Sequence, residues 1–391
     1  NAQTNGINFT DVSTNHTLEM RFTGAGNSFL SGNGIWSNIQ NVRINKPNGL
    51  LDTLIISSAS FSQGSVLSEP KFYFQSGVLK GYSGQTTLIG GENFQVNLLP
   101  SSGIYMKDGS IQTKYHLSTS SNSTIELDGG NILVGNGVDD NYYYQTGTNF
   151  KLITGNFIVG GAFLRQNASA TIDLTINNLS TIVVARYGAT GTDPSFDMRS
   201  TGSAITMTGG RIIVANGNDN TESDLTINAE NGGGITGGSI QIGDTSYTTS
   251  TNDLKISGST PIYNLHLVDN GTLNTFKTKI RSLNYLVKNQ ILIDPRQELD
   301  INGNILTLQG NLLNYGKLTA TPLTPSSQSW QIILNGINDQ YLKNYSSAQN
   351  LLEIYSLRID KTTGNTILGD NVATNSNLKV NEHLEFAPTN T

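Results

Sequence analysis

The segment DGGNILVG, beginning at Asp128, joins a two-glycine turn to an alternating strand whose same-face residues are Ile132 and Val134. It recurs as TGGRIIVA from Thr208 and TGGSIQIG from Thr236, one residue shorter as TGNFIVGG from Thr154, and degraded as STIVVA from Ser180. The apolar pairs Ile132/Val134, Phe157/Val159, Ile182/Val184, Ile212/Val214 and Ile240/Ile242 follow one another at intervals of 25, 25, 30 and 28 residues. A strand sends successive side chains to opposite faces, so residues two apart share a face, and that face is apolar in every copy. A second alternating strand precedes the glycines and supplies Ile125/Leu127, Phe150/Leu152 and Ile205/Met207. Fainter echoes lie upstream at Gly49-Leu50-Leu51, Gly77-Val78-Leu79 and Gly109-Ser110-Ile111.

Self-similarity at such a period is the mark of a stacked architecture. Two or three short strands per coil, separated by Gly and Asn corners, describe one turn of a parallel β-helix, with each coil about 4.8 Å above the last. Nine Asn-Gly pairs, among them Asn136-Gly137 and Asn216-Gly217, supply residues that tolerate positive φ at corners. The chain is accordingly read as all-β, a right-handed parallel β-helix, with coils of 25–30 residues over residues 1–260. From about Pro261 the texture changes. IYNLHLVDNGTLNTF from Ile262 is answered by IYSLRIDKTTGNTIL from Ile354, a shift of 92 residues. Between them, INGNILTLQGNLLNYGKLTA from Ile301 repeats short strands with glycine punctuation. Residues 261–391 are read as a continuation of the solenoid, with a β-sandwich as the alternative. The second copy stops at Phe386 before its own LTLQGN-like segment, which implies that more of the same follows.

Composition agrees with a folded, turn-rich β protein. The chain has 391 residues, 42 of them Gly and 9 Pro, and only 13% are charged, whereas disordered chains carry more charge and fewer aromatics. The net charge of −6 comes without a basic cluster, which argues against nucleic acid as a partner. No apolar run reaches the ~20 residues needed to cross a bilayer as a helix. Cysteine is absent, which excludes disulfides and thiolate metal sites. Asn1 opens the chain with neither Met nor a signal peptide, so the sequence reads as a processed or excised segment.

The GG-x-I-x-[VI] units at Gly129, Gly209 and Gly237, PIYNLHLVDNGT from Pro261 and LTLQGNLLNYGKLTA from Leu306 resemble the very large surface proteins that Bacteroidetes export through the type 9 secretion system, including gliding-motility adhesins. The matches span most of residues 120–391, while the first hundred or so match only in texture. No sorting domain of the kind such proteins carry is visible. The resemblance implies a Gram-negative outer-surface location and a role in adhesion, gliding or surface architecture. Its implied partners are other segments of one large protein, a cell-surface or extracellular polysaccharide or protein, and outer-membrane secretion or anchoring components.

Parallel β-helices also carry polysaccharide-cleaving enzymes, and glycoside hydrolysis needs a pair of carboxylates. Of the Asn-x-Asp, Asp-Asp, Gly-His-Gly and Arg-x-Lys elements of polygalacturonase-like sites, only Asp139-Asp140 appears, so no catalytic residue is assigned and no enzyme is expected. His16, His116, His266 and His383 are far apart and form no metal-ligand pattern. His266 alternates with Leu265 and Leu267 and should point outward. Two acidic corners, Asp139/Asp140/Asn141 and Asp219/Glu222/Asp224, could supply oxygen ligands to calcium but fit neither the EF-hand nor the nonapeptide template; they read as solvated loops. No metal or cofactor is therefore expected. Tyr142, Tyr143 and Tyr144 either stack on sugar rings or pack with the middle ring outward, and packing is preferred. Thr206 and Thr208 match the Thr-x-Thr of ice-binding helices once, without a ladder, and Trp36 and Trp330 stand alone. The sequence thus points to a non-enzymatic structural or adhesive module, with a carbohydrate-binding or carbohydrate-cleaving β-helix as the alternative.

Overall fold

The computed structural model of the chain describes residues 18–30, 35–36, 39–57, 62–63, 71–218, 222–247, 252–269, 276–320, 330–346, 351–369 and 377–387. His16 and Asp219 lie outside them, as does the side chain of Trp36. The described strands pair in parallel, each with its counterpart one coil away, and among the described residues the helical content is a single turn at Gly49–Leu51. The chain is a β-solenoid.

Each coil has three faces. Face 1 is a short strand such as Tyr142–Tyr144, which pairs with Phe163–Arg165 in the next coil. Faces 2 and 3 are two halves of one bent strand. Thr124–Val134 meets Thr148–Val159 in two blocks, Ile125 on Phe150 for face 2 and Ile132 on Phe157 for face 3, with a register shift at the glycines between. Alternation then aims one residue in two at the axis. On face 3, Ile132, Phe157, Ile182, Ile212 and Ile240 occupy successive rungs of one column, all fully buried. Leu265, Ile291, Leu312 and Leu342 extend it. Face 2 runs Ile125, Phe150, Leu174, Ile205, and face 1 runs Leu117, Tyr142, Phe163, Phe196, Leu225, Ile256.

The three columns meet on the axis. Tyr142, Phe150 and Phe157 belong to the three faces of one coil, and their ring centroids lie 4.7–5.6 Å apart in edge-on pairs. Phe163 sits 4.7 Å from Tyr142 in the coil beyond. Burial of each such side chain contributes about 1.5–3 kcal/mol before the entropy of ordering it, and every coil repeats the contribution.

The corner between faces 2 and 3 explains the glycine pairs. Gly130, Gly155, Gly210 and Gly238 have φ between +67° and +94°, where L-residues are strained. A Cβ on Gly155 would also lie 2.4 Å from the carbonyl oxygen of Gly130 in the coil before it. In the degraded coil, which lacks the pair, Leu179 takes the left-handed conformation (φ +65°) and projects into solvent.

The ladders run unbroken past residue 261: Ser239–Ile242 pairs with 264–267, which in turn pairs with 290–293. The sandwich alternative for 261–391 is therefore not the fold adopted. The 92-residue repeat is out of step with the coils. Leu265 lies in the face 3 ladder with Ile291 and Leu312, whereas its sequence counterpart Leu357 lies in the face 2 ladder with Ile332 and Leu306. The repeated string thus encodes a bent, alternating strand rather than a fixed station in the coil.

Two substitutions test this account in denaturant or thermal unfolding. Val214→Asp sets an unpaired charge in a dry column and should lower the midpoint steeply; an unchanged curve would mean that Val214 does not face inward. Gly155→Ala should cost more than about 1 kcal/mol, since both the φ and the neighbouring carbonyl oppose a methyl group there.

Candidate functional site

Chain length varies mainly at the corner between faces 3 and 1, where the described residues of 135–141, 185–195, 215–218, 222–224, 243–247 and 252–253 lie along one edge of the solenoid. The acidic residues singled out in the sequence sit on this edge, and their oxygens are already engaged. Asp140 Oδ2 accepts the N–H groups of Asn136 (2.9 Å) and Gly137 (2.7 Å), closing its own turn. Asp139 accepts from the backbone N–H and the hydroxyl of Thr190, tying its loop to the 185–195 loop. Asp224, fully buried, accepts from the N–H of Asn218 and of Lys255, each at 2.7 Å. Glu222 pairs with Arg281 at 2.7 Å. Among the described residues no three acidic or histidine side chains converge. These carboxylates stand in for missing backbone acceptors, which is what a loop leaving a parallel ladder requires.

The tyrosine triplet packs. Tyr142 and Tyr144 are fully buried and bond to Thr119 Oγ1 (3.0 Å) and to the Asp197 carbonyl (2.7 Å). Tyr143 faces outward beside His116, with ring centroids 5.4 Å apart, and accepts a bond from Asn141 Nδ2 at 3.0 Å. His116 stacks on Tyr115 and its Nδ1 accepts the Asn141 N–H at 2.9 Å. His266 points outward between buried Leu265 and Leu267 and meets Asp294 at 3.1 Å. His383 lies 5.5 Å from Trp330, ring to ring.

Two outward features were not anticipated. On four consecutive face 3 strands the middle residue is also apolar, and Leu133, Ile158, Val183 and Ile213 stack as an outward stripe. Val183 and Ile213 are buried under Tyr247 of the segment 243–247, whose ring also holds the Arg186 guanidinium at 4.9 Å. The run of three apolar residues in ILV, FIV, IVV and IIV was the available signal, since strict alternation places a polar residue in the middle.

The second feature is a cleft of about 190 Å³ on the outer side of face 1, lined by Arg43, Tyr73, Phe94, Gln95, Asn97 and Leu99 among others. Phe72-Tyr73-Phe74 repeats the pattern of the tyrosine triplet, with outer rings buried and the middle one outward. Tyr73 pairs in register with Arg43, whose guanidinium lies 4.9 Å above its ring. The turn after Gly90 brings Phe94 edge-on to Tyr73, with centroids 5.4 Å apart. Lys71 Nζ lies 5.5 Å from the Phe94 centroid. Gln95 Nε2 donates to Asn97 Oδ1 at 2.8 Å, which fixes both amides. Glu19, outside the cleft, accepts from Arg43 Nε at 2.7 Å, and Arg43 followed by Arg21 holds its carboxyl below the usual range. Tyr73 and Phe94 are 21 residues apart, and only coil geometry makes them neighbours.

Comparison of the chain with protein-family models, curated proteins and solved structures finds no significant match. Among the described residues no helix is long and apolar enough to cross a membrane.

Burial pushes the His116 imidazole below its ordinary value of 6.5, against the opposite pull of Asp140 and Asp139. The unfolded chain therefore takes up this proton first, and stability falls as pH drops through the ordinary value toward the folded one. Protonation also removes the acceptor for the Asn141 N–H. Melting temperatures of the wild type and His116→Gln, measured between about pH 7.5 and pH 5, should show the wild type losing more on acidification. Parallel curves would rule out this coupling.

Proposed function

We propose that the chain is a non-enzymatic structural and adhesive module of a large secreted or cell-surface bacterial protein, serving surface adhesion and, by resemblance, gliding motility. The observation that carries the reading is the unbroken set of inward columns. Because each coil buries apolar side chains against its neighbours and hydrogen-bonds along the axis, such a stack is stiff and offers few local openings to proteases. The engaged carboxylates of Asp139, Asp140 and Asp224 support a scaffolding rather than a catalytic role for the loop edge. The outer surface of a Gram-negative cell as its location, type 9 export, and outer-membrane anchoring components as partners rest on the sequence resemblance. So do continuation into other segments of the same protein and a polysaccharide or protein ligand beyond the cell. A carbohydrate-binding module on the same scaffold is the second reading, favoured by the aromatic and amide lining of the face 1 cleft.

Beads coated with the chain should be retained on polysaccharide gels or bacterial surfaces above beads carrying an inert rod of similar length. Retention no better than the control would remove the adhesive role. Release of new reducing ends from soluble glycans would overturn the non-enzymatic one.

A further inference from the structure

Resting on the adhesive reading, we propose that the face 1 cleft is where the module takes its ligand, and that the ligand is an anionic polysaccharide built from uronic acids. Tyr73 and Phe94 are half-buried, so each keeps apolar ring surface exposed in a cleft of roughly single-sugar size, about 190 Å³. The axial C–H groups of a pyranose form an apolar face that packs on such a ring. Around the rings the polar groups are mostly donors: the Arg43 guanidinium, the Lys71 ammonium and the side-chain amides of Gln95 and Asn97. Ring hydroxyls accept from amides, and the amide oxygens accept from them in return.

Charge decides between a neutral and an acidic sugar. The cleft lining holds Arg43 and no carboxylate, and Lys71 at its rim has no ion pair among the described residues. A uronate carries its carboxylate at the edge of the ring plane, so a sugar packed on the open surface of one of the two edge-on rings brings that group within reach of Arg43 and Lys71. Arg43 donates Nε to Glu19, and among the described residues its terminal nitrogens have no hydrogen-bond partner, which leaves them for such a ligand. A peptide strand is the poorer occupant. At this face Lys71–Phe74 pairs with 41–44 of the coil before, and Phe74 with Leu98 of the coil after, so an added strand would have to displace the coil already stacked there.

The test is calorimetric titration of the intact chain with oligomers of galacturonate, mannuronate and guluronate and with hyaluronan fragments, each beside its carboxyl-reduced neutral counterpart. At least one uronate oligomer should bind saturably, roughly tenfold or more tightly than its reduced form, and more weakly as salt is raised. Lys71→Gln should weaken binding by roughly tenfold at unchanged melting temperature, and Phe94→Ala by as much with a modest fall in melting temperature, since Phe94 also packs against the core. Tyr143→Ser, on the same face but outside the cleft, should leave binding as it was. The proposal fails if no uronate binds, if reduced oligomers bind equally, or if Phe94→Ala is silent. Bead retention by the Phe94→Ala/Lys71→Gln double variant separates the two claims. Retention kept in that variant means that adhesion is real but lies elsewhere; retention absent from the wild type as well means that the adhesive reading has failed.

Discussion

The height of one coil is set by backbone hydrogen bonds between parallel strands, about 4.8 Å, and everything else must fit that spacing. It is tightest at the corner between faces 2 and 3. There the carbonyl oxygen of one coil lies under the Cα of the next, so a methyl group on Gly130, Gly155 or Gly238 would fall 2.4–2.6 Å from a glycine oxygen below. Glycine is thus required for clearance as well as for its φ. Once the corner is made, the two halves of the bent strand aim alternate residues at the axis, and the columns of Ile, Leu, Val and Phe follow.

The same spacing dictates where variation is tolerated. Coils of 25 and 30 residues coexist because the excess leaves the ladder at the opposite corner, between faces 3 and 1. Backbone that leaves a ladder loses its partners, and buried or half-buried N–H groups need others. Asp139, Asp140 and Asp224 meet that need, so acids that resemble ligands in the sequence act as acceptors for the loops that carry them. The charge at Asp197 serves the neighbouring face in the same way: it is buried under Arg165 and Arg199, and its hydrogen bond to Arg199 raises that guanidinium's pKa still further.

With its interior devoted to stacking, a solenoid keeps its specificity on outward columns. Two depart from the polar surface expected of them. The face 3 stripe is roofed by the chain's own Tyr247, which makes it a place where a loop is pinned to the rod. The face 1 cleft joins aromatic surface to cations and amides. A body of stacked coils that presents such a cleft suits the proposed adhesive role, since holding a ligand there would cost little reorganisation.

Much of this was legible in the chain read alone. Alternation and a repeat of about one coil located the inward columns and the glycine corners, because both depend on residues within a few positions of each other. The alternation of Tyr142, Tyr143 and Tyr144 was readable for the same reason. The station of the 92-residue repeat was not: Leu265 and Leu357 occupy different faces because each corner turned in between advances the register, and sequence similarity does not count corners. Nor were the pairing of Tyr73 with Phe94, the fate of the corner acids, or the covered stripe on face 3. Each depends on which coil lies beside which and on how a loop folds back over it. Those are contacts between residues distant in the chain, and only the stacked structure decides them.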